Sequence, residues 1–275
     1  MTSFGARLRR AMDERGPLCA GIDPHESLLE EWGVGADIAG LERFALTAAE
    51  AFGATAAAVK PQSAFFERFG SAGIAVLERT IETARGLGAQ VVLDVKRGDI
   101  GSTARAYADA YLDQSSPLAV DCITASPYLG FGSLDPMFEV ARANDAGVFV
   151  LALTSNPEGR EVQAAVREGR TVAGTVLAEL RALNGDAAPL GSFGAVVGAT
   201  IEVPEESLDI NGPLLAPGVG AQGGDAASVR RVFAGVLPSV LASASRSVLR
   251  AGPDPAALRD AVRRQADEFV QVVGG

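Results

Sequence analysis

Four charged residues lie close together in the segment VVLDVKRGDIGST, residues 91–103: Asp94, Lys96, Arg97 and Asp99. They follow the apolar run QVVL, which is typical of a buried strand, and a glycine turn comes directly after them. Buried charges are costly unless they are paired. On a strand, Asp94 and Lys96 point to the same side, whereas Arg97 alternates away from them. The spacing therefore predicts an acid–base pair on one face, with Arg97 as a structural or surface charge.

Such a pair is suited to a reaction that develops negative charge on carbon. A lysine beside carboxylates keeps its proton, because opposite charges favour the ionised form. The ammonium of Lys96 would be a proton donor to a carbanion, and a fixed Asp94 would repel a substrate carboxylate until that group leaves as CO₂. Lys60 and Asp23 each end another apolar run, so we expect both side chains near this pair.

A second informative stretch is LLAPGVGAQGGDAASVRR, residues 214–231. Pro217 and four glycines form a pliant loop there, ahead of a helix that is predicted to begin near Asp225. Such a loop can turn several backbone N–H groups toward an anion at the helix N-terminus. The segment SASRSVL, residues 243–249, contributes Arg246, whose planar guanidinium suits phosphate. Together the loop and the arginine predict a phosphate site.

Eight short apolar runs alternate with segments of helical periodicity along the chain. The runs are almost continuously apolar, as expected for parallel strands that are covered on both faces, and they occupy residues 18–23, 54–60, 89–96, 118–125, 147–153, 194–200, 213–220 and 240–246. Apolar residues at three- and four-residue spacing predict helices at 41–52, 72–88, 101–112, 161–180, 225–236 and 254–270, with an extra leading helix at 1–15.

This alternation over roughly 250 residues is typical of an α/β fold, the (β/α)₈ TIM barrel, here with an extra N-terminal helix. A doubly wound sheet is the alternative. The barrel is favoured because polar residues gather at the C-terminal ends of successive runs, and in a barrel these ends share one mouth. We expect residues 1–275 to form a single domain. A purely structural ion-pair network is the other interpretation of the charged cluster, but function concentrates at these strand ends.

The overall composition limits the partners. The formal net charge of −10 argues against a nucleic acid or an anionic membrane, which need a clustered basic face, and leaves room for a small anionic substrate. Cys19 and Cys122 lie in apolar segments and are predicted to be buried thiols in a reducing compartment. The N-terminus lacks the apolar core of a secretory signal, and no window approaches the ~20 apolar residues of a membrane span. We therefore predict a soluble, cytoplasmic protein.

The motifs together resemble the orotidine 5′-phosphate decarboxylase family. The string D-x-K-x-x-D-I-G-x-T at residues 94–103 is accompanied, in order along the chain, by GIDP, AAVKPQSAFFERFG, TSNPEG, APGVGAQGG and SASR. The resemblance extends over residues 18–250 and points to the longer bacterial branch, found in mycobacteria and their relatives. It implies decarboxylation of orotidine 5′-phosphate to UMP, the last step of de novo pyrimidine synthesis. It also implies that no metal or organic cofactor is used, and that the enzyme is a homodimer with active sites at the subunit interface.

The resemblance implies a role for each charged residue near the predicted pair. Lys96 would protonate C6 as CO₂ departs. Asp94 would lie against the substrate carboxylate and hold Lys96. Lys60 would complete the alternating charge network and touch the ribose, and Asp23 would bind the ribose hydroxyls.

Other roles implied by the resemblance concern the second subunit and the base. Asp99 would enter the active site of the partner subunit, with Ile100 and Thr103 beside it. Ser155, near the end of the fifth strand, would face the pyrimidine. The connection that follows is longer than in compact family members, which leaves Thr154 as the alternative contact to the base.

At the phosphate end, Gln222 would bridge the base and the phosphate, and Arg246 would hold the phosphate together with the amides of the loop that begins at Pro217. Ser245 departs from the pattern, because many family members have glycine before the arginine; its backbone N–H can still serve. His25 is the only histidine of the chain, and we interpret it as a polar loop residue rather than a catalytic one.

Two other functions stay open at this point. A related metal-dependent barrel, such as a 3-keto-gulonate-phosphate decarboxylase or a hexulose-phosphate synthase, also carries the D-x-K-x-x-D string and needs carboxylates placed for Mg²⁺. The lysine of VKPQ argues for the metal-free branch, where a cation occupies that place. A non-catalytic nucleotide-binding module would need phosphate contacts but no lysine between acids.

Overall fold

Eight parallel strands close into a barrel in the computed structural model, which describes residues 2–220 and 223–273. We number these strands β1 to β8 in chain order: Leu18–Ile22, Ala58–Pro61, Gln90–Arg97, Cys122–Ala125, Gly147–Leu153, Phe193–Val197, Leu214–Pro217 and Val240–Ala244. Each strand pairs in parallel with the next, and β8 closes the barrel against β1, with Leu18 opposite Ala242. The predicted barrel is confirmed, and the doubly wound sheet was the wrong alternative.

Helices surround the barrel and connect its strands. They span Phe4–Arg15, Glu26–Glu31, Ile38–Gly53, Ala64–Glu67, Gly70–Gly86, Gly101–Leu112, Asp135–Ala143, Arg160–Gln163, Val172–Asn184, Ala226–Val232, Arg246–Leu249 and Pro255–Val273. Three short 3₁₀ turns occupy Phe131–Leu134, Pro157–Gly159 and Leu237–Ser239. The helix between β4 and β5 was not predicted. Within residues 2–220 and 223–273, no helix has the length and apolar character needed to cross a bilayer.

The region 161–180 was predicted as one helix, and that prediction is wrong. An antiparallel two-stranded hairpin interrupts it, and the long helix begins only at Val172. Glu168 and Gly169, with φ of 55° and 79°, form the two-residue turn of the hairpin, and a right-handed helix cannot continue through residues with positive φ. Thr171 then caps the helix, because its hydroxyl accepts the backbone N–H three residues further on.

The leading helix covers the N-terminal end of the barrel. Phe4 is fully buried and meets Phe149 of β5 edge-on, with ring centroids 6.4 Å apart. Gly147 lies against the Phe4 ring, where any Cβ would clash with it. Cys19 and Cys122 belong to the same apolar cluster, and both are buried free thiols, as predicted. This end of the barrel is therefore filled by side chains.

We expect Phe4→Ala to lower the free energy of unfolding by about 3–5 kcal/mol, because the substitution leaves a cavity between the leading helix and the barrel. Urea denaturation followed by circular dichroism measures this loss. The control is Leu87→Ala, whose side chain is 41% exposed, and it should change stability by no more than about 0.5 kcal/mol. If Phe4→Ala lowers the free energy of unfolding as little as Leu87→Ala does, packing of the leading helix through Phe4 does not stabilise the barrel.

Candidate active site

A cavity of about 910 Å³ lies at the C-terminal ends of the barrel strands. Eight of the twelve predicted site residues line it: Asp23, Lys60, Asp94, Lys96, Ser155, Pro217, Ser245 and Arg246. They come from six different strands or the loops that follow them, so they are distant in sequence and converge only because the barrel is closed. The structure thus brings most of the predicted site together in one place.

The carboxylate of Asp94 is the centre of the charged cluster. Its Oδ2 accepts a hydrogen bond from Nζ of Lys96 at 2.7 Å and another from Nζ of Lys60 at 3.1 Å. Its Oδ1 accepts a third from the hydroxyl of Thr124 at 2.8 Å. Three donors, two of them cationic, therefore surround one buried carboxylate.

The charges of this cluster hold each other in the ionised state. Burial acts to raise the pKa of Asp94, but Lys60 and Lys96 outweigh it and hold that pKa well below its usual range. Burial likewise acts to lower the pKa of Lys60, but the charges of Asp94 and then of Asp23 outweigh it and raise that pKa above its ordinary value. Asp94 and Lys60 are consequently a charged pair at neutral pH.

Lys96 reaches Asp94 through an irregularity in β3 rather than through simple alternation. The register with β4 shifts between Leu93 and Arg97, and Lys96 has φ of 47°, the left-handed region that a side-chain-bearing residue rarely adopts. Its side chain is 47% exposed and lines the cavity. The predicted pair is present within β3, and a local irregularity of the strand, which was not foreseen from the sequence, contributes to it.

Arg97 points away from the cluster, as predicted. Its guanidinium donates to the carboxylate of Glu67 at 2.6 Å and lies over the ring of Tyr107, 5.5 Å from its centroid. This arginine therefore joins the end of β3 to the helices around it and has a structural role.

Asp99, Ile100 and Thr103 lie outside the cavity as the described part of the chain forms it. The carboxylate of Asp99 accepts the backbone N–H of Ile100 at 2.8 Å, next to the start of the helix at Gly101. Ile100 is 62% exposed, and Thr103 is exposed as well. Within one copy of the chain, Asp99 therefore does not line the cavity that contains Asp94.

The loop after β5 separates the two candidate contacts to a base. The backbone N–H of Thr154 donates to Oε1 of Gln163 at 3.0 Å, and its hydroxyl accepts from Nε2 of Gln163 and donates to Asn156, both at 2.7 Å. Both donors of Thr154 are thus engaged within the loop. Ser155 lines the same cavity, and its hydroxyl makes no hydrogen bond to any residue that the structure describes. The geometry favours Ser155 as the hydroxyl available to a ligand.

The glycine-rich loop after β7 turns back on itself. Gly218 and Gly220 have φ of 98° and 77°, and Gly220 donates its N–H to the carbonyl of Gly224 at 2.7 Å. Asp225 caps the next helix by accepting a backbone N–H at 2.8 Å, so the predicted helix start is confirmed. The predicted contact Gln222 lies outside the described residues.

Two buried oxygen atoms at this end of the cavity are left without a hydrogen-bond partner in the described structure: Oδ1 of Asp23 and Oγ of Ser245. The two atoms lie just beyond the ends of neighbouring strands, β1 and β8. Ser245 packs against Gly21, and a Cβ added to Gly21 would lie 2.8 Å from the side chain of Ser245. Buried polar atoms are rarely unpaired in native proteins, so each of these oxygens is a candidate contact for a bound molecule.

Thr124 was missed in the sequence analysis, and His25 was not placed at the cavity. Thr124 touches Asp94 directly, but it lies in a run that was interpreted as strand core; the polar-end criterion that selected Lys60 would also have found it. His25 lines the cavity, and its ring meets Phe65 edge-on at 4.4 Å between centroids. His25 is therefore a loop residue whose side chain forms part of the cavity wall.

Comparison with known proteins identifies the family. The sequence model described as "Orotidine 5'-phosphate decarboxylase / HUMPS family" matches residues 16–261. The chain belongs to this family. A curated relative from Nocardioides sp. is 63% identical over 273 residues, covering 98% of this chain and 99% of its own. One from Salinispora tropica is 64% identical, with 96% of each chain covered. Both relatives carry the name orotidine 5′-phosphate decarboxylase.

A solved structure agrees with the family membership. A crystal structure from Streptomyces avermitilis, provisionally assigned as orotidine 5′-phosphate decarboxylase, superposes with a TM-score of 0.98 at 60% sequence identity. The match covers 100% of this chain and 97% of the other. The resemblance inferred from the motifs is confirmed.

The depressed pKa of Asp94 makes a prediction about stability and pH. The stabilisation from its ionisation is fully present above the unfolded-state pKa, about 4, and is lost as the pH falls through the lower folded-state pKa. Asp94→Asn removes this contribution. We therefore expect the stability difference between wild type and variant to be largest near neutral pH and to shrink below about pH 4.

Urea denaturation at several pH values measures this difference. The control is Asp186→Asn, which changes an exposed carboxylate and should give a small difference at every pH. A wild-type advantage over Asp94→Asn that stays constant from neutral pH to about pH 3 would contradict the proposed stabilisation of the carboxylate.

Proposed function

We propose that this chain decarboxylates orotidine 5′-phosphate to UMP, the last step of de novo pyrimidine synthesis, with Lys96 as proton donor to C6. The observation that carries this proposal is the buried carboxylate of Asp94, held between two ammonium groups at the cavity. The family match and the names of the relatives support the choice of substrate.

The arrangement suits loss of CO₂ from a carbon that receives a proton. With the substrate carboxylate against Asp94, the two negative charges repel, and this repulsion ends when CO₂ leaves. The bond between C6 and the carboxylate breaks, its electron pair remains on C6, and the proton moves from Nζ of Lys96 to that carbon. The fixed ammonium stabilises the developing charge without reorganising. Lys96 is half-exposed, so solvent can reprotonate it.

Substrate contacts follow from the groups around the cavity. The unpartnered Oδ1 of Asp23 would accept a ribose hydroxyl, and Lys60 lies between that carboxylate and Asp94. Ser155 would contact the pyrimidine. Arg246 and the loop that begins at Pro217 would hold the phosphate, as the cavity lining suggests.

The backbone N–H of Ser245 and the side chain of Gln222 complete the proposed phosphate and base contacts. The unpartnered Oγ of Ser245 supports a place for this residue beside the substrate, since a bound molecule would supply its missing partner.

The metal-dependent alternative is disfavoured by what surrounds Asp94. The ammonium of Lys60 lies 3.1 Å from this carboxylate, where a Mg²⁺ site would need further oxygen ligands. Among the residues that the structure describes, no three His, Cys, Asp or Glu side chains are grouped as metal ligands. A non-catalytic nucleotide-binding module would need phosphate contacts, but it would not need two lysines paired with the buried carboxylate of Asp94.

We further propose a homodimer in which Asp99 serves the site of the second copy, with Ile100 and Thr103 beside it. Exposed apolar side chains near the cavity mouth support this: Ile100, Tyr128 at 77% exposure and Leu129 at 53%. Apolar groups exposed together mark interaction surfaces. A single domain over residues 1–275 and a cytoplasmic location stay predictions.

The reaction is tested by the ultraviolet absorbance change of orotidine 5′-phosphate on decarboxylation. We expect turnover by the wild type that EDTA does not abolish. Lys96→Ala should lower kcat by at least about 10³-fold, roughly 4 kcal/mol of transition-state stabilisation. Arg167→Ala, which removes an exposed charge on the hairpin, is the control and should keep wild-type turnover.

Three outcomes would count against this function. Absence of turnover in the wild type would reject the enzyme. Activity lost with EDTA and restored by Mg²⁺ would favour the metal-dependent barrel. Near-normal kcat in Lys96→Ala would remove the proton-donor role while leaving the reaction itself intact.

The shared site is tested by mixing two inactive variants, Lys96→Ala and Asp99→Ala. If Asp99 acts across the interface, a mixed dimer has one site with both residues intact and one with neither. Random co-refolding should then restore about a quarter of the wild-type activity per site. Separately refolded variants are the control. Mixed dimers that form but stay inactive would show that Asp99 acts within its own chain or not at all.

A further inference from the structure

Thr124 occupies an unusual position between the backbone and the charged cluster. It is the third residue of β4 and only 1% exposed. Its hydroxyl oxygen accepts the backbone N–H of Lys96 at 2.9 Å, and the same hydroxyl donates to Oδ1 of Asp94 at 2.8 Å. One hydroxyl therefore joins both members of the acid–base pair, one through its backbone and the other through its side chain.

The backbone at Lys96 requires such a partner. The ladder between β3 and β4 pairs Leu93 with Ile123 and resumes at Arg97 with Ala125, after the register shift. Within the shift, Lys96 takes φ of 47°, and its N–H meets a side chain in place of a β4 carbonyl. Left-handed backbone is costly for a residue with a side chain, so the hydroxyl, by accepting this N–H, stabilises a conformation that lysine rarely adopts.

The second bond of the hydroxyl fixes the carboxylate. The single proton of Thr124 goes to Oδ1, and both ammonium groups donate to Oδ2. The carboxyl plane of Asp94 is thereby held against rotation. The direction of the Lys96 ammonium depends on the orientation of the Asp94 carboxylate and on the backbone conformation of Lys96. Thr124 forms a hydrogen bond to each of them.

We propose that Thr124 is a positioning residue for the decarboxylation, which sets the place of the Lys96 ammonium relative to the reacting carbon. This inference rests on the proposed function, because it assigns meaning to the geometry of the proton donor. Thr124 acts through Lys96 and Asp94, and its effect belongs to the chemical step. Substrate binding depends on the sugar and phosphate contacts elsewhere in the cavity and should change little.

The test compares two substitutions at this position. Thr124→Val keeps the shape and removes both hydrogen bonds; we expect kcat to fall at least about 10-fold while KM changes less than about threefold. Thr124→Ser keeps the hydroxyl, and its kcat should return to within about threefold of wild type. If Thr124→Val does not fold, Thr124→Ala removes the same hydroxyl and should show the same loss of kcat.

Thr80→Val is the matched control. Thr80 is also fully buried, and its hydroxyl donates to the carbonyl of Val76 at 2.7 Å within a helix of the outer layer. Its substitution should lower thermal stability without changing kcat, which separates a general packing effect from positioning. The melting temperatures of all variants are measured alongside the kinetics.

The outcomes separate this inference from the function on which it rests. Absence of turnover in the wild type would reject the proposed function. Normal wild-type turnover together with an unchanged kcat in Thr124→Val would overturn the positioning role alone. A Thr124→Ser variant as slow as Thr124→Val would also overturn it, because loss of the methyl group, rather than of the hydroxyl, would then explain the change.

Discussion

The buried ion pair between Asp94 and Lys60 is the interaction on which the rest of the site depends. Either charge alone would be costly at this depth, and removing Asp94 would deprive both ammonium groups of the carboxylate that they share. The pair is maintained because β1, β2 and β3 are neighbours in the barrel, so that Asp23 in the loop after β1, Lys60 of β2 and Asp94 of β3 lie within electrostatic reach. The cavity is thus polarised before any ligand enters it, and this is the condition for electrostatic stabilisation without reorganisation.

The barrel provides this arrangement by filling one end and opening the other. The Phe4 ring and the apolar cluster around Phe149 occupy the N-terminal end, so the described cavity lies at the C-terminal end, where the loops are. Parallel strands place every C-terminus at that end, and function in this fold concentrates there. The bulge in β3 then adds a local deviation that the regular barrel lacks. It brings Lys96 over the carboxylate while Arg97 remains bound to the outer helices.

Much of the fold could be predicted because apolar runs and helical periods are properties of short windows. The site was predictable where polar residues end those runs, as Lys60 and Asp94 do. The hairpin after Gln163 was missed because apolar residues on both sides of it continue a helical spacing, and only Glu168 and Gly169 turn the chain. The left-handed backbone of Lys96 has no sequence signal, since nothing in the residue type requires it. Thr124 was missed because the run containing it was interpreted as strand core.

The asymmetry between the two lysines favours Lys96 over Lys60 as the proton donor of the proposed reaction. Lys60 is nearly inaccessible and acts as a counter-charge for both Asp94 and Asp23, so loss of its proton would remove the buried positive charge and leave Asp94 with Lys96 alone. When Lys96 gives up its proton, Asp94 still has Lys60 at 3.1 Å and Thr124 at 2.8 Å. The side chain of Lys96 is also half-exposed, so it can recover a proton from water. Asp94 therefore lies between two lysines with different properties. Lys60 is buried and keeps its charge, whereas Lys96 is accessible and can be reprotonated by water after each turnover.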